Sequence, residues 1–419
     1  MPERIVGSEA GTLGQEPPPA LPESLVYLRG ASRLAVDAVL GVTGIVESMH
    51  RNIAGLAPVV GAAPPGRTRG ITGMVYGGVR GVTRVVGLGL DAALAKLSPL
   101  LRGRHGSPRG DAVRAALNGV LGDYLAASGN PLAIGMQLRQ QGHALTLERE
   151  ALGREIEAPQ GRVLLLVHGL CMNDLQWRRE RHDHGEALAR ELGLTPLYLY
   201  YNSGEHISKN GRALAHLLET LLREWPQELR ELTILGHSMG GLVARSAVHY
   251  ARRSRLEWPR RLVKLVFLGS PHHGAPLERA GNWVDVLVGI SPYTAPFARL
   301  GKIRSAGVKD LRYGNLLDTD WQGQAKEHTH DPRTPLPLPR GVRCYTLAAS
   351  RETDTQMPER RLPGDGLVPV ASALGEHHDP TRSLHFATAH RRVVRGCGHL
   401  ELLHHREVYE HIRAWLEEA

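Results

Sequence analysis

The chain has 419 residues, of which 42% are hydrophobic, so a polypeptide that is disordered throughout is excluded. This length is sufficient for a large core and an additional domain. The net charge of +9 is spread over single basic residues without a basic block or interleaved aromatics, so nucleic acid is not predicted as a partner.

The cysteines and the N-terminus indicate the cellular compartment. Cys171, Cys344 and Cys397 are far apart, odd in number and lack metal-ligand spacing, which predicts reduced thiols. The N-terminus carries acidic residues and prolines where a secretory signal has an apolar core. No run of 18 apolar residues predicts a membrane span. We therefore expect a cytoplasmic protein.

Residues 1–22 predict a disordered leader, and residues 23–141 predict a helical N-terminal region. One helical pattern covers about residues 24–60. A second begins at Ile71 and carries Gly73, Gly77 and Gly81, whose spacing favours the close approach of another helix. The apolar stripe of this second helix consists of Val75, Val79, Val82, Val86, Leu90 and Leu97.

Two interpretations of this region compete. The first is a helical hairpin at a membrane surface, with peripheral contact through residues 23–101. The second is an appendage packed on a catalytic domain, and it is favoured because amphipathic stripes usually face a core. Asp37, Glu47 and Asp91 inside the helical patterns also favour packing on a domain.

After a linker at residues 102–110 and a helix to about Leu125, a catalytic domain is predicted over residues 142–419. Strand and helix patterns alternate there, which predicts an α/β fold with a mostly parallel sheet and helices on both faces. One strand is predicted directly before Gly236. The other predicted strands are His143–Glu150, Arg162–Val167, Pro196–Tyr201, Arg261–Leu268, Arg343–Ala348 and Arg391–Arg395. The main predicted helices are Lys209–Trp225, Gly241–Arg252 and Glu401–Leu416.

A strand, a sharp turn and a helix meet at Gly236-His-Ser-Met-Gly240. Glycines two residues before and after Ser238 allow a turn that presents the serine hydroxyl above the N-terminus of the helix. The pattern predicts that Ser238 is a nucleophile.

A serine nucleophile requires a base and an orienting acid, and this architecture places them after the serine, acid first. His399 follows the strand Arg391–Arg395 and is the favoured base, whereas His404 and His405 are expected on the solvent side of the last helix. Asp365, between two glycines, is the favoured acid. Asp354 and Asp379 are its rivals, and the latter precedes Pro380 as a turn former does.

A developing oxyanion needs two backbone donors. The N–H of Met239 at the helix N-terminus is one candidate. The other is the N–H of Leu170, in the loop His168-Gly169-Leu170 after a buried strand.

These motifs resemble the α/β-hydrolase family, and within it the lipase and esterase branch, including triacylglycerol lipases and the GPI inositol-deacylase-like group. The resemblance covers about residues 142–419 and rests on His168–Leu170, Gly236–Gly240, Leu268–Ala275, Gly364–Pro369 and Gly398-His399. It implies an α/β-hydrolase fold and hydrolysis of a small-molecule or lipid ester by a Ser238-His399-Asp365 triad, with no cofactor or metal. An acyltransferase on the same triad is an alternative, as is a non-catalytic protein that binds a membrane or partner through its N-terminal helices.

A long insert, about residues 275–340, predicts a helical cap over the site. Its apolar residues either contact acyl chains beneath a mobile lid or bury the cap against the core. They are Trp283, Val284, Val286, Leu287, Val288, Ile290, Tyr293, Phe297 and Trp321. His272 and His273 are interpreted as structural, and His182-Asp183-His184 as a solvated helix start without a third metal ligand.

Overall fold

The computed structural model describes residues 23–54, 70–97, 108–275, 305–322, 331 and 333–418. The chain divides into two compact units, Met1–Gly106 and Ser107–Ala419. The predicted leader and most of the apolar residues of the predicted cap lie outside the described residues.

The first unit contains two helices that pack against each other, α1 (Glu23–Ala54) and α2 (Gly70–Leu97). Both helices were predicted from their apolar periodicity. Arg80 of α2 forms an ion pair with Glu47 of α1, and both side chains are largely buried. Within the described residues, no helix is both long enough and apolar enough to cross a membrane.

Within the first unit, the apolar stripe of α2 does not face α1. Val75, Val82 and Val86 are each more than half exposed. The glycines at 77 and 81 also face open space, because a Cβ at either position would have no neighbour within 4 Å. Arg80 instead occupies the side of α2 that contacts α1.

The second unit is built on one eight-stranded sheet with the order β2-β1-β4-β3-β5-β6-β7-β8. Neighbouring strands from β4 to β8 are parallel, and β1 pairs in the antiparallel sense with β2 and β4. The strands are β1 (Gln137–Gln140), β2 (His143–Ala144), β3 (Arg162–Val167), β4 (Thr195–Tyr200), β5 (Glu231–His237), β6 (Leu262–Leu268), β7 (Arg343–Ser350) and β8 (Arg391–Arg395).

Helices alternate with these strands, so the predicted α/β fold class is confirmed. They are α3 (Pro108–Ala127), α4 (Arg149–Glu155), α5 (His184–Leu192), α6 (Ile207–Glu224), α7 (Met239–Arg253), α8 (Ala306–Tyr313), α9 (Val370–Ala373) and α10 (Arg406–Glu417). The core forms around β3 and β5, whose apolar side chains are almost completely buried. Strands with unbroken apolar sequences are expected at the centre of a sheet that is covered on both faces.

The predicted strand at His143–Glu150 is wrong beyond its first two residues, because α4 begins at Arg149. The sequence pattern also missed β1, whose residues Gln-Leu-Arg-Gln are mostly polar. The structure accommodates this polarity by burying Arg139 between the carboxylates of Asp111 and Asp174, at 2.8 and 3.2 Å. A buried arginine paired in this way leaves no apolar signal in the sequence.

Helix α3 and strand β1 belong to the second unit, although both precede residue 142, where the catalytic domain was predicted to begin. Two glycines of α3 allow its close packing on loops of the sheet. A Cβ at Gly119 would lie 2.2 Å from Cys171 Sγ, and one at Gly122 would lie 1.8 Å from Asn202 Oδ1.

The last predicted helix, Glu401–Leu416, is interrupted. A single 3-10 turn covers Glu401–Leu403, and α10 begins only at Arg406. His404 and His405 lie in the break and are partly buried, so their predicted place on the solvent side of a continuous helix is wrong.

Candidate active site

Ser238 lies at the turn between β5 and α7, with φ of 54° and ψ of −123°. This conformation is strained for a residue other than glycine, and it persists only where the surroundings hold it. The N–H of Ser238 donates to the Leu268 carbonyl at 2.8 Å, which ties the turn to the end of β6. The serine itself is only 3% exposed.

The two glycines that flank the turn leave no room for side chains. A Cβ at Gly236 would lie 2.5 Å from the amide nitrogen of Gly241, and one at Gly240 would lie 2.1 Å from the Val167 carbonyl oxygen. Both obstacles are backbone atoms, which do not yield as a flexible side chain does. The sequence pattern therefore reflects the steric demand of the turn.

Asp365 and His399 form a buried pair. His399 Nδ1 lies 2.7 Å from Asp365 Oδ2, and the two side chains are almost completely buried. The backbone N–H of His399 also donates to the backbone carbonyl of Asp365 at 3.2 Å. Asp365 Oδ1 accepts the N–H groups of Leu367 and Val368 at 2.9 and 2.7 Å. The loops after β7 and β8 thus hold one carboxylate and one imidazole in fixed positions.

Two further loops come close to these residues at the carboxyl ends of the strands. A Cβ at Gly269, after β6, would lie 3.2 Å from Asp365 Oδ2 and 3.3 Å from His399 Cε1. A Cβ at Gly169, after β3, would lie 3.1 Å from Ser238 Cβ. Asp365 and His399 thus lie beside the loop after β6, and Ser238 lies beside the loop after β3, at the strand ends where ligands bind in open parallel sheets.

His237 is a residue of this site that the sequence did not single out. Its Nε2 donates to the His399 carbonyl oxygen at 3.1 Å, and the two rings are 4.8 Å apart. Complete burial lowers the pKa of His237 well below its usual value, so the ring is neutral. The only signal was its place next to Ser238, which does not specify a contact 162 residues away.

The loop after β3 is held by polar contacts. The Cys171 N–H donates to Ser203 Oγ at 3.0 Å, and the Tyr201 hydroxyl donates to the His168 carbonyl oxygen at 2.8 Å. Within the described part of the chain, the N–H groups of Leu170 and Met239 donate no hydrogen bond. Two candidate donors thus remain available on either side of the serine.

The rivals for the acid occupy other positions. Asp354 is exposed, and its carboxylate accepts the N–H of Gln356. Asp379 accepts the N–H and the hydroxyl of Thr381, as expected of a turn former. Neither Asp354 nor Asp379 contacts His399 in the structure.

The remaining histidines have structural contacts. His184 is completely buried and donates to the Leu402 carbonyl at 2.9 Å, so the predicted solvated helix start is wrong for this residue. His272 is buried beside Arg245, with 3.3 Å between Nδ1 and Nη1, and His273 contacts the Gly375 carbonyl. No group of three or more potential ligands among the described residues could hold a metal ion.

Comparison with known families finds one match. Residues 158–322 match the PGAP1-like alpha/beta domain family, and this segment is less than half of the chain. The match includes β3, the loop with Leu170 and the turn with Ser238. Together with the mostly parallel sheet, the match agrees with the predicted α/β-hydrolase fold. No curated protein matches the chain significantly.

Solved structures of similar fold have low sequence identity. The mature lipase BlEst2 of Bacillus licheniformis is 18% identical, with a TM-score of 0.40, over 62% of this chain and 95% of that chain. Lipase B of Aspergillus fumigatus is 10% identical, with a TM-score of 0.37, over 92% of this chain and 82% of that chain. An esterase of Pyrococcus furiosus is 13% identical, with a TM-score of 0.35, over 62% of this chain and 83% of that chain.

Proposed function

We propose that the protein is a serine hydrolase that cleaves carboxylic esters through an acyl-enzyme. The observation that carries this proposal is the 2.7 Å contact between Asp365 and His399, together with a serine in a strained turn between strand and helix. A nucleophile, a base and a group that orients the base are the parts that covalent ester hydrolysis requires. The match to the PGAP1-like alpha/beta domain is consistent with hydrolase chemistry.

In the proposed mechanism, Ser238 Oγ attacks the ester carbonyl carbon while His399 Nε2 takes the hydroxyl proton. Asp365 accepts the Nδ1–H of His399, which leaves the lone pair on Nε2 and stabilises the imidazolium that forms. His399 then gives the proton to the leaving alcohol, and the acyl group remains on Ser238. Water then attacks the carbonyl carbon of the acyl-enzyme while His399 takes a proton from the water. His399 gives this proton to Ser238 Oγ, which releases the acid and the free serine.

The tetrahedral intermediate places a negative charge on the former carbonyl oxygen. The N–H groups of Leu170 and Met239 are the proposed donors to this oxygen, and the N-terminus of α7 adds a favourable dipole. Removal of one such donor in other enzymes lowers kcat by a factor of about 10²–10³. Because both donors are backbone groups, the loop after β3 must keep its conformation for the reaction to proceed.

The proposal is tested with Ser238→Ala. We expect this variant to lose hydrolysis of p-nitrophenyl esters and labelling by a fluorophosphonate probe, with an unchanged circular dichroism spectrum. Ser254→Ala, at the exposed C-terminal end of the same helix, is the matched control and should retain both. Labelling that persists in Ser238→Ala would place the nucleophile at another residue.

The substrate class is tested with p-nitrophenyl esters of increasing acyl length. A preference for long chains would assign a lipase, and a preference for short chains an esterase. Addition of an alcohol distinguishes acyl transfer from hydrolysis, since a transferase would form a new ester at the expense of free acid. Absence of hydrolysis and of transfer with all esters would contradict the proposal.

A further inference from the structure

We propose that the helical hairpin of α1 and α2 binds the surface of an anionic lipid membrane through one face of α2. This face, here called the valine face, consists of Met74, Val75, Val79, Val82, Val85, Val86 and Leu88. The inference rests on the first unit alone and does not depend on the proposed function.

The polarity of α2 is the reverse of that in a helix packed on a protein core. Arg80 faces α1, where it pairs with the buried carboxylate of Glu47. Tyr76 and Thr83, four residues before and three after Arg80, are half-buried on the same side. The side that contacts α1 is therefore polar, and the side away from it is apolar.

Within the first unit, the valine face is exposed. Its exposed fractions range from 42% at Val79 to 75% at Met74. Glycines at 77, 78 and 81 lie beside the valines, and none of them has a neighbour that a Cβ would meet. A contiguous apolar surface of this kind on a protein is a site of association with a partner or a membrane.

The charge of the segment identifies the occupant as lipid. Residues 23–97 carry eight basic and four acidic side chains, which gives a net charge of +4. Arg84 is exposed on α2, and its length allows the guanidinium to reach phosphate groups while the neighbouring valines enter the apolar boundary. A second copy of the chain would present the same positive charge and be repelled, whereas an anionic bilayer attracts it.

The proposal is tested by flotation of the full-length chain with vesicles. We expect binding to equimolar phosphatidylcholine and phosphatidylglycerol, weaker binding at high salt, and little binding to phosphatidylcholine alone. Val82→Glu and Val86→Glu should each weaken binding to the anionic vesicles by about tenfold or more, because a valine that enters the apolar boundary of the bilayer is replaced by a charge. Val113→Glu changes an exposed valine of α3 in the same way and should bind as the unchanged chain does.

A second measurement does not depend on charged substitutions in α2. The three native cysteines are all buried, so a single introduced cysteine is the accessible site for labelling. An environment-sensitive fluorophore on Val79→Cys should shift to shorter wavelength when anionic vesicles are added, and one on Val113→Cys should not.

Two outcomes would overturn the proposal. One is equal flotation of the unchanged chain and both glutamate variants, with no spectral shift at position 79. The other is a lipid-independent dimer that Val82→Glu dissociates, together with no vesicle binding, which would assign the valine face to a second copy.

Discussion

At the scale of single residues, the two carboxylate oxygens of Asp365 make different hydrogen bonds. Oδ2 faces His399, whereas Oδ1 accepts two backbone N–H groups of the following loop. Because backbone donors cannot become acceptors, the group at Oδ1 must remain an acceptor. The orientation of the carboxylate is therefore fixed from the side opposite the histidine.

This geometry predicts the effect of Asp365→Asn. The amide oxygen must occupy the Oδ1 position, so the NH₂ group points at His399 Nδ1 and forces the proton onto Nε2. That tautomer cannot accept the serine proton, and kcat should fall by roughly 10⁴-fold with little loss of stability. Steady-state rates on a p-nitrophenyl ester measure this change. Asp379→Asn is the control, and a comparable loss in that variant would mean that the acid was assigned incorrectly.

At the scale of elements, α3 is part of the second unit and supports the loop that carries Leu170. Gly119 packs against Cys171, and the buried Asp111 pairs with Arg139 of β1. The Asn118 side chain adds hydrogen bonds to the Leu132 carbonyl and the Ile134 N–H. These contacts make α3 a structural component of the site, although none of its residues touches Ser238.

The packing of α3 predicts different outcomes for two truncated chains. A chain that begins at Ser107 should fold and hydrolyse p-nitrophenyl esters, since the second unit is then complete. A chain that begins at Gly142 lacks both α3 and β1, so Asp174 loses its partner Arg139 and the apolar residues that α3 covers are exposed.

We expect the shorter chain to aggregate or to unfold at a much lower temperature. Soluble yield, thermal unfolding and specific activity of the two chains measure the difference. Equal stability and activity of both chains would show that α3 contributes nothing to the site.

At the scale of the whole molecule, burial keeps four of the histidines that the structure describes in a neutral state. Burial lowers the pKa of His168 to about 4 and of His184 to about 3, and it lowers the pKa of His237 and His272 well below the usual value. An unfolded chain would titrate each imidazole near pH 6.5. The unfolded state therefore binds more protons than the folded state between about pH 6.5 and 4.

The sign of this difference predicts destabilisation in acid. The stabilising contribution of the neutral rings is complete above about pH 6.5 and is lost as the pH falls toward the folded-state pKa values. Each of these histidines contributes up to about 1.4 kcal/mol per pH unit to the slope.

Thermal unfolding between pH 8 and 4.5 should show this steep decline. His184→Gln should reduce the slope, and His378→Gln, at an exposed position, should leave it unchanged. A midpoint that does not vary below pH 6.5 would contradict the prediction.

Some features followed from local sequence because their physical causes are local. Glycines at 236 and 240 predicted the turn, since only a missing side chain fits the backbone contacts there. The continuous apolar sequence of β3 predicted a central strand, because both faces of such a strand are covered. The residue types and their order in the chain also predicted Asp365 and His399 as partners, and the structure brings them into contact.

Other features depend on contacts between distant segments, which no local pattern specifies. The strand at Gln137–Gln140 is formed because Asp111 and Asp174 neutralise a buried arginine. The contact of His237 with the His399 carbonyl depends on how β5 and the loop after β8 meet. Periodicity located the apolar stripe of α2. Which side of α2 contacts α1 depends on the ion pair of Arg80 with Glu47, which places the polar side against α1. The sequence by itself thus determined the turn, the central strand and the candidate residues of the site, and only the tertiary structure decided which faces are buried, because burial is a property of the packed chain.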